Sequence, residues 1–481
     1  MRRLAPLALV SLFLAACAAV TAGLSPVPGT LSAAPHLATE IACDLSDRVG
    51  PRLAGSAGDA RAVAWAQKKM LALGLTNAHT EAATVPHWER GAASAVLSGD
   101  GIEQSLAVTA LGGSVATPAA GIEAEVVEVD SLKSLEKLSD DAVRGKIVFI
   151  NQAMTRGRDA FNSYGNTVEI RGSGATAAAK HGAVAVVIRS VGTSAARFPH
   201  TGGMRYAEGT PKIPAGALAV PDAELLHRLL AAGAKVRLKL VLETRDLGTS
   251  PSANVVADVR GTEKPDEIVL IGAHLDSWDL GRGAIDDAAG VGVVLDVAHA
   301  LLATPPKRTV RVILFANEEN GLAGARAYAA AHGPELAKHQ AALEIDAGAG
   351  RVFASEWNGA PSAAAFFDAL GARLAPLGIE APKSDPDAGG ADTIPLRFAG
   401  VPTVDLLQDG TRYFDLHHTA DDTCEKIVAA DLDQVRDATL ITTWSLADAP
   451  SLFERAPHAA PPAWANPTPT PAPSPVPATT H

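Results

Sequence analysis

After "SPSANVVADV" (residues 250–259), short apolar runs alternate with helical patterns, and few chain architectures accommodate that order. The runs "EIVLIGAHLD", "RTVRVILFANEE", "AALEIDAG" and "VPTVDLL" read as strands. Between them "DDAAGVGVVLDVAHALLA" has apolar residues at Val291, Val294, Leu295, Ala298 and Leu302, the spacing of a helix face. "GLAGARAYAAAH", "SAAAFFDALGARL" and "AADLDQVRDATLITTWSLA" read as further helices. Strands that alternate with helices pair in parallel through crossovers and are buried on both faces. The expected fold is therefore α/β, a mostly parallel mixed sheet with helices on both faces.

Ligands of such sheets bind beyond the carboxyl ends of the strands. His274 and Asp276 end one predicted strand, Glu318 and Glu319 the next, and Asp346 a third. Acids crowded in this way repel one another unless a cation joins them. The stretch "GAHLDSWDLGRGAIDDAAG" alone holds His274, Asp276, Asp279, Asp286 and Asp287. Mixed imidazole and carboxylate donors without a nearby thiolate suit zinc in a catalytic site. Two metals about 3.5–4 Å apart require a bridging carboxylate, which the Asp286-Asp287 pair at a helix start can supply. A formal net charge of −12 and the lack of a basic run argue against nucleic acid as partner.

The remainder of the chain divides by composition. Residues 1–16 carry Arg2 and Arg3 before a short apolar segment, which reads as an export signal. Its end, Leu14-Ala15-Ala16-Cys17, is similar to a bacterial lipobox, so Cys17 is the expected lipidation site and the product an exported protein, lipid-anchored at the periplasmic face of the cell envelope, the alternative being a plain signal peptide and a secreted protein. Membrane contact is expected only through that anchor. Residues 17–34 read as a tether. Residues 35–116 read as the first part of the main domain, opening with helical patterns, one with Ser56 as N-cap and Gly74 as stop, and continuing in short strand-like runs such as "SAVLSG" and "SLAVTAL". Residues 117–246 read as a separate small α/β insert, 247–452 as the main sheet, and 453–481 as a proline-rich disordered tail. Cys43 and Cys424 remain after export, and an even count permits a disulfide without establishing one.

The blocks "PHWERG", "PHTGG", "PKIPAGALAV", "GAHLDSWDLGRGAIDD", "FANEENG", "EIDAG", "AGVP" and "YFDLHHTADDT" extend through residues 40–450. In this order they resemble the co-catalytic dizinc exopeptidases that include the bacterial leucine aminopeptidases, most closely the plasma glutamate carboxypeptidase branch. The resemblance implies two zinc ions per subunit and short peptide substrates. It implies that Asp286 bridges the metals, that His274 and Asp346 complete one site, and that Glu319 and His418 complete the other. His418 is favoured over His417 because it directly precedes a hydroxyl residue, Thr419. Glu318 is the implied general base for a metal-bridged water, and Asp276 the group that orients His274. Asp287 is expected to follow a cis peptide bond, and Asp392 to lie near the substrate cleft. Asp279 has no counterpart and reads as a solvated loop acid. The insert resembles a protease-associated domain, bordering the cleft or serving only as a structural cap. A homodimer is compatible with the family.

The same resemblance leaves an aminopeptidase acting on longer peptides as the alternative to a dipeptidase or carboxypeptidase. A one-zinc glutaminyl cyclase and a non-catalytic binding homologue fit less well, because no ligand is missing. Asn317 and Asn320, and the residues after "EIDAG", depart from the family pattern and bear on specificity.

Overall fold

A computed structural model describes residues 24–28 and 35–455. Residues 1–16, Cys17 and the tail from 456 onward lie outside them. After helices at Leu37–Arg48 and Ala57–Ala72, the chain forms β1 (His79–Glu89). Ser56 caps the second helix, its hydroxyl accepting the amides of Gly58 and Asp59. Eight strands follow: β2 (Ala93–Gly99), β3 (Ile102–Leu106), β4 (Val108–Ala110), β5 (Ile122–Val129), β6 (Ile147–Ile150), β7 (Ala185–Arg189), β8 (Ala215–Leu218) and β9 (Arg237–Leu242). The chain continues with β10 (Arg245–Val259), β11 (Lys264–His274), β12 (Arg308–Phe315), β13 (His339–Glu344), β14 (Val352–Asn358), β15 (Lys383–Ser384) and β16 (Thr403–Gln408).

Two eight-stranded sheets result. The first has the order β1-β10-β12-β11-β13-β16-β14-β15, and the second the order β3-β2-β9-β5-β6-β7-β8-β4. In the first, β12, β11, β13 and β16 are mutually parallel, while β1, β10 and β14 pair antiparallel. The helices Leu37–Arg48, Ala289–Ala303 and Ala429–Ala447 cover one face through a continuous apolar cluster. Tyr328, from the helix Ala323–Ala331, and Leu396 cover the other.

The second sheet begins earlier than the composition suggests. Its strands run from Ala93 to Leu242, so the segment 93–110 belongs with it and the start at 117 is corrected. The reason is long-range pairing: Ala93–Ser98 aligns with Leu242–Arg237, far along the chain. This unit leaves and rejoins the first sheet at one rung, because Glu89 and Arg245 are cross-strand partners at the end of the β1–β10 ladder. Insertion there leaves the ladder intact.

The units are firmly joined. Ile285, Tyr413, Phe414 and Leu416 share an apolar cluster with Ala160, Val191 and Met204. Arg90 donates to Thr109 and Thr201 hydroxyls at 3.0 and 2.9 Å and to Asp279 at 3.0 Å. Asp279 is thus the counter-ion of a buried arginine, correcting its reading as a solvated acid. Cys43 and Cys424 form a disulfide. Leu24 is buried in the main core and Phe453 packs against it, so part of the expected tether and the first residues of the expected tail are docked.

Candidate metal centre

The three parallel strands β12, β11 and β13 are adjacent, so their carboxyl ends share one rim. His274 ends β11, Glu318 and Glu319 follow β12 by three and four residues, and Asp346 follows β13 by two. Asp286 lies in the turn that opens the helix Ala289–Ala303, and its peptide bond to Asp287 is cis.

Asp286 is central. One carboxylate oxygen lies 3.1 Å from His274 Nε2, and the other 3.3 Å from His418 Nε2. His274 Nε2 is also 3.3 Å from Asp346, and His418 Nε2 is 2.9 Å from Glu319. His417 stacks on His418 with ring centroids 3.5 Å apart, but its Nε2 comes no nearer to Asp286 than 3.7 Å. Two donor groups, His274-Asp286-Asp346 and Asp286-His417-His418, are compact enough for one cation each, and they share Asp286. The second oxygen of Asp286 is buried and accepts no hydrogen bond. A cation satisfies such an orphan where another carboxylate would not.

Around this centre a ring of contacts fixes each side chain. His274 Nδ1 meets the backbone carbonyl of Asp276 at 3.0 Å, while the Asp276 carboxylate stands 3.7 Å away. The ring is therefore oriented by the Asp276 main chain, which corrects the expected carboxylate contact. The Asp276 carboxylate instead accepts the Glu318 amide at 3.0 Å and so fixes the turn that bears Glu318. Asp287 accepts the amides of His274 (3.2 Å) and Gly290 (2.9 Å), tying strand to helix. Asn317 has φ 65°, a left-handed conformation that asparagine tolerates, and its amide donates to Asn320. Both asparagines serve the turn, and neither lines the cavity beside the centre.

Sequence reasoning overlooked several positioning residues. Arg52, fully buried, donates to the carbonyls of Leu275 (2.6 Å), Arg282 (2.8 Å) and Gly283 (2.8 Å), clamping the loop between His274 and Asp286. Gly283 has φ 57°, and a Cβ there would stand 2.4 Å from Ser277. Asp422 accepts the amides of Ala284 (2.8 Å) and Ile285 (2.7 Å), and burial pushes its carboxyl up to about 7. From the second unit, Thr201 offers its carbonyl to His418 Nδ1 at 3.2 Å. Arg52 lies in no motif, and the blocks that contain Thr201, Gly283 and Asp422 assign them no role. Asp422, in "YFDLHHTADDT", lay nearest to a signal.

Burial, reinforced by Asp346, lifts Glu318 well above the usual carboxylate range, and burial followed by Asp286 does the same to Glu319. Burial raises Asp287 as well. Burial would lower His274, but Asp346, Asp276 and Asp286 outweigh it and raise the ring well above its ordinary value. Burial takes His418 down to about 3, leaving the neutral imidazole that ligates a cation. The acids as a group call for positive charge. Glu344, pushed up to about 8 by burial and then by Asp346, accepts the Asp392 amide at 2.8 Å. Asp392 is wholly buried behind the cleft rather than lining it.

A cavity of about 380 Å³ opens onto the centre. Glu318, Asp346 and His418 line it together with Phe161, Tyr164 and Arg171 of the second unit.

Comparison with known proteins gives a consistent result. The sequence profile described as Peptidase family M28 matches residues 254–443. Carboxypeptidase Q of Rattus norvegicus is 36% identical over 414 residues, covering 86% of this chain and 85% of that protein. Among solved structures, a Peptidase M28 precursor from Shewanella amazonensis is 42% identical with a TM-score of 0.85, covering 93% of this chain and 99% of the other. BSAP, a zinc aminopeptidase from Bacillus subtilis, shares the fold at 22% identity and a TM-score of 0.61, covering 86% and 98% of the two chains.

Proposed function

The chain belongs to peptidase family M28 and is a zinc metallopeptidase, and from that premise we propose that it is an exopeptidase of dipeptides and other short peptides. His274, Asp286 and Asp346 hold one zinc ion, and Asp286, Glu319 and His418 hold a second. The observation that carries this assignment is the placement of the two Asp286 oxygens, one facing His274 and the other His418. When bound, the zinc ions acidify a water and draw charge from the scissile carbonyl.

Glu318 takes the proton from the attacking water and delivers it to the leaving amine. Its raised affinity for a proton suits both halves of that transfer. Asp276 holds the Glu318 amide and so aims the carboxylate into the cavity. The second unit, read as a protease-associated domain, narrows the cleft to short substrates by supplying Phe161, Tyr164 and Arg171. Export and lipidation at Cys17 complete the proposal. Among the described residues no helix is long and apolar enough to cross a membrane.

The test is a panel of dipeptides and tripeptides, free or blocked at either end, with metal analysis of wild type and Glu318→Gln. The expected result is two zinc ions per chain in both proteins, with turnover confined to wild type. Cleavage that survives an N-terminal block but not a C-terminal one marks a carboxypeptidase, and the reverse an aminopeptidase. Full activity in Glu318→Gln overturns the base assignment.

A further inference from the structure

Arg171 stands apart from the other cations of the cleft. The residue is 92% buried, lies on the helix Glu169–Lys180 of the second unit and lines the cavity. Among the described residues no carboxylate lies within ion-pair reach of it. Nη2 donates to the Tyr164 hydroxyl at 2.7 Å, and Nε has no acceptor. Nη1 lies 3.4 Å from His418 Nδ1, but that nitrogen directs its own proton to the Thr201 carbonyl when Nε2 faces Asp286 and Glu319. The contact therefore gives Nη1 no acceptor. Arg158, the other arginine of the cavity, is half exposed, pairs with Glu380 at 3.1 Å and sits 4.1 Å from the Phe353 ring centroid. Its charge is already matched.

The chain makes room for this unmatched guanidinium. A Cβ at Gly202 would lie 2.3 Å from Nη1, so only glycine permits the arginine to lie there. Burying a cation without a partner is costly, and the neighbouring acids are turned toward the centre beyond His418. A buried guanidinium that keeps free donors beside a cavity suits a carboxylate, whose two oxygens match its fork.

We propose that Arg171 binds the free C-terminal carboxylate of the substrate, with Tyr164 holding the guanidinium in place. This rests on the peptidase reading above and deepens it by naming the feature that selects substrates. Glu319 and Asp286 lie on the Nε2 side of the His418 ring and Arg171 on its Nδ1 side, 3.4 Å from that nitrogen, so the reacting centre and the carboxylate site flank a single imidazole. A leaving group of a single residue, as in a dipeptide, places its carboxylate there, whereas a longer one does not.

The experiment compares kcat/KM for a dipeptide and its C-terminal amide in zinc-loaded wild type, Arg171→Gln and Arg171→Lys. Binding of both ligands to the same three proteins in a Glu318→Gln background is measured by calorimetry. Wild type is expected to favour the free acid at least tenfold. In Arg171→Gln this preference collapses toward unity, chiefly through KM, and Arg171→Lys restores part of it because the charge remains without the fork. If Arg171→Gln fails to fold, Arg171→Lys alone carries the test by its reduced preference. An acid-to-amide ratio unchanged by either substitution overturns the proposal, as does a wild type indifferent to the amide. Wild type that cleaves neither compound when loaded with zinc overturns the peptidase reading itself.

Discussion

Replacing Arg52 with lysine should loosen the metal centre from a distance. The guanidinium reaches three carbonyls, those of Leu275, Arg282 and Gly283, all within the loop that separates His274 from Asp286. A single ammonium nitrogen at this depth satisfies one of them. Two buried carbonyls then lose their donor at about 1–3 kcal/mol each, or about 2–6 kcal/mol of folding free energy in total. Gly283 is followed within three residues by Asp286, so part of the loss should appear as misplacement of the bridging carboxylate. Loss of a supporting contact around a metal weakens binding by about 10–100-fold. Urea unfolding of the metal-free protein measures the first effect without the stabilisation that metal adds, and chelator competition measures zinc affinity. An Arg52→Lys protein equal to wild type in both would refute the clamp.

Other outcomes follow from the same structure. Cys43→Ser with Cys424→Ser opens a loop spanning 381 positions. On the chain-entropy estimate this costs up to about 6 kcal/mol, read as a lower denaturation midpoint that reductant reproduces in wild type. His339 is buried with its pKa lowered to about 4 by burial. On acidification the unfolded chain therefore takes up this proton first, and its share of stability is whole above about pH 6.5 and lost toward pH 4. The stability deficit of His339→Gln should shrink by about 3 kcal/mol between pH 7 and pH 4. Asp279→Asn leaves Arg90 buried without its counter-ion, and should destabilise the protein by about 3–5 kcal/mol in thermal unfolding while leaving zinc content unchanged.

The parts of the fold visible in the sequence were those whose signal is local. β11, β12 and β13 announce themselves as apolar runs closed by acids, and the helix Ala289–Ala303 by its apolar spacing. β14 passed unnoticed because Ser355, Glu356 and Asn358 interrupt its apolar character, and pairing with β16 supplies what its composition lacks. The early strands of the second sheet carry no mark of the sheet they join, since only pairing with Arg237–Leu242 assigns β2. In the site, residues in dense motifs were legible and isolated arginines were not. Arg52 and Arg90 act through contacts with residues far away in the chain, and even the block "PHWERG" gives no sign of Arg90's partner Asp279. Asp279 was misread for the same reason, its partner lying 189 positions earlier.

The Cys43–Cys424 bond bears on durability toward other peptidases. All the residues assigned to the metal centre lie between these two positions. A single cut in any loop from 44 to 423 therefore yields two fragments that stay covalently joined. A cut anywhere between β1 and β16 also leaves strands of the first sheet on both sides of it. A nicked molecule need not shed either half of its catalytic rim, so a loop can be lost to cleavage before activity is.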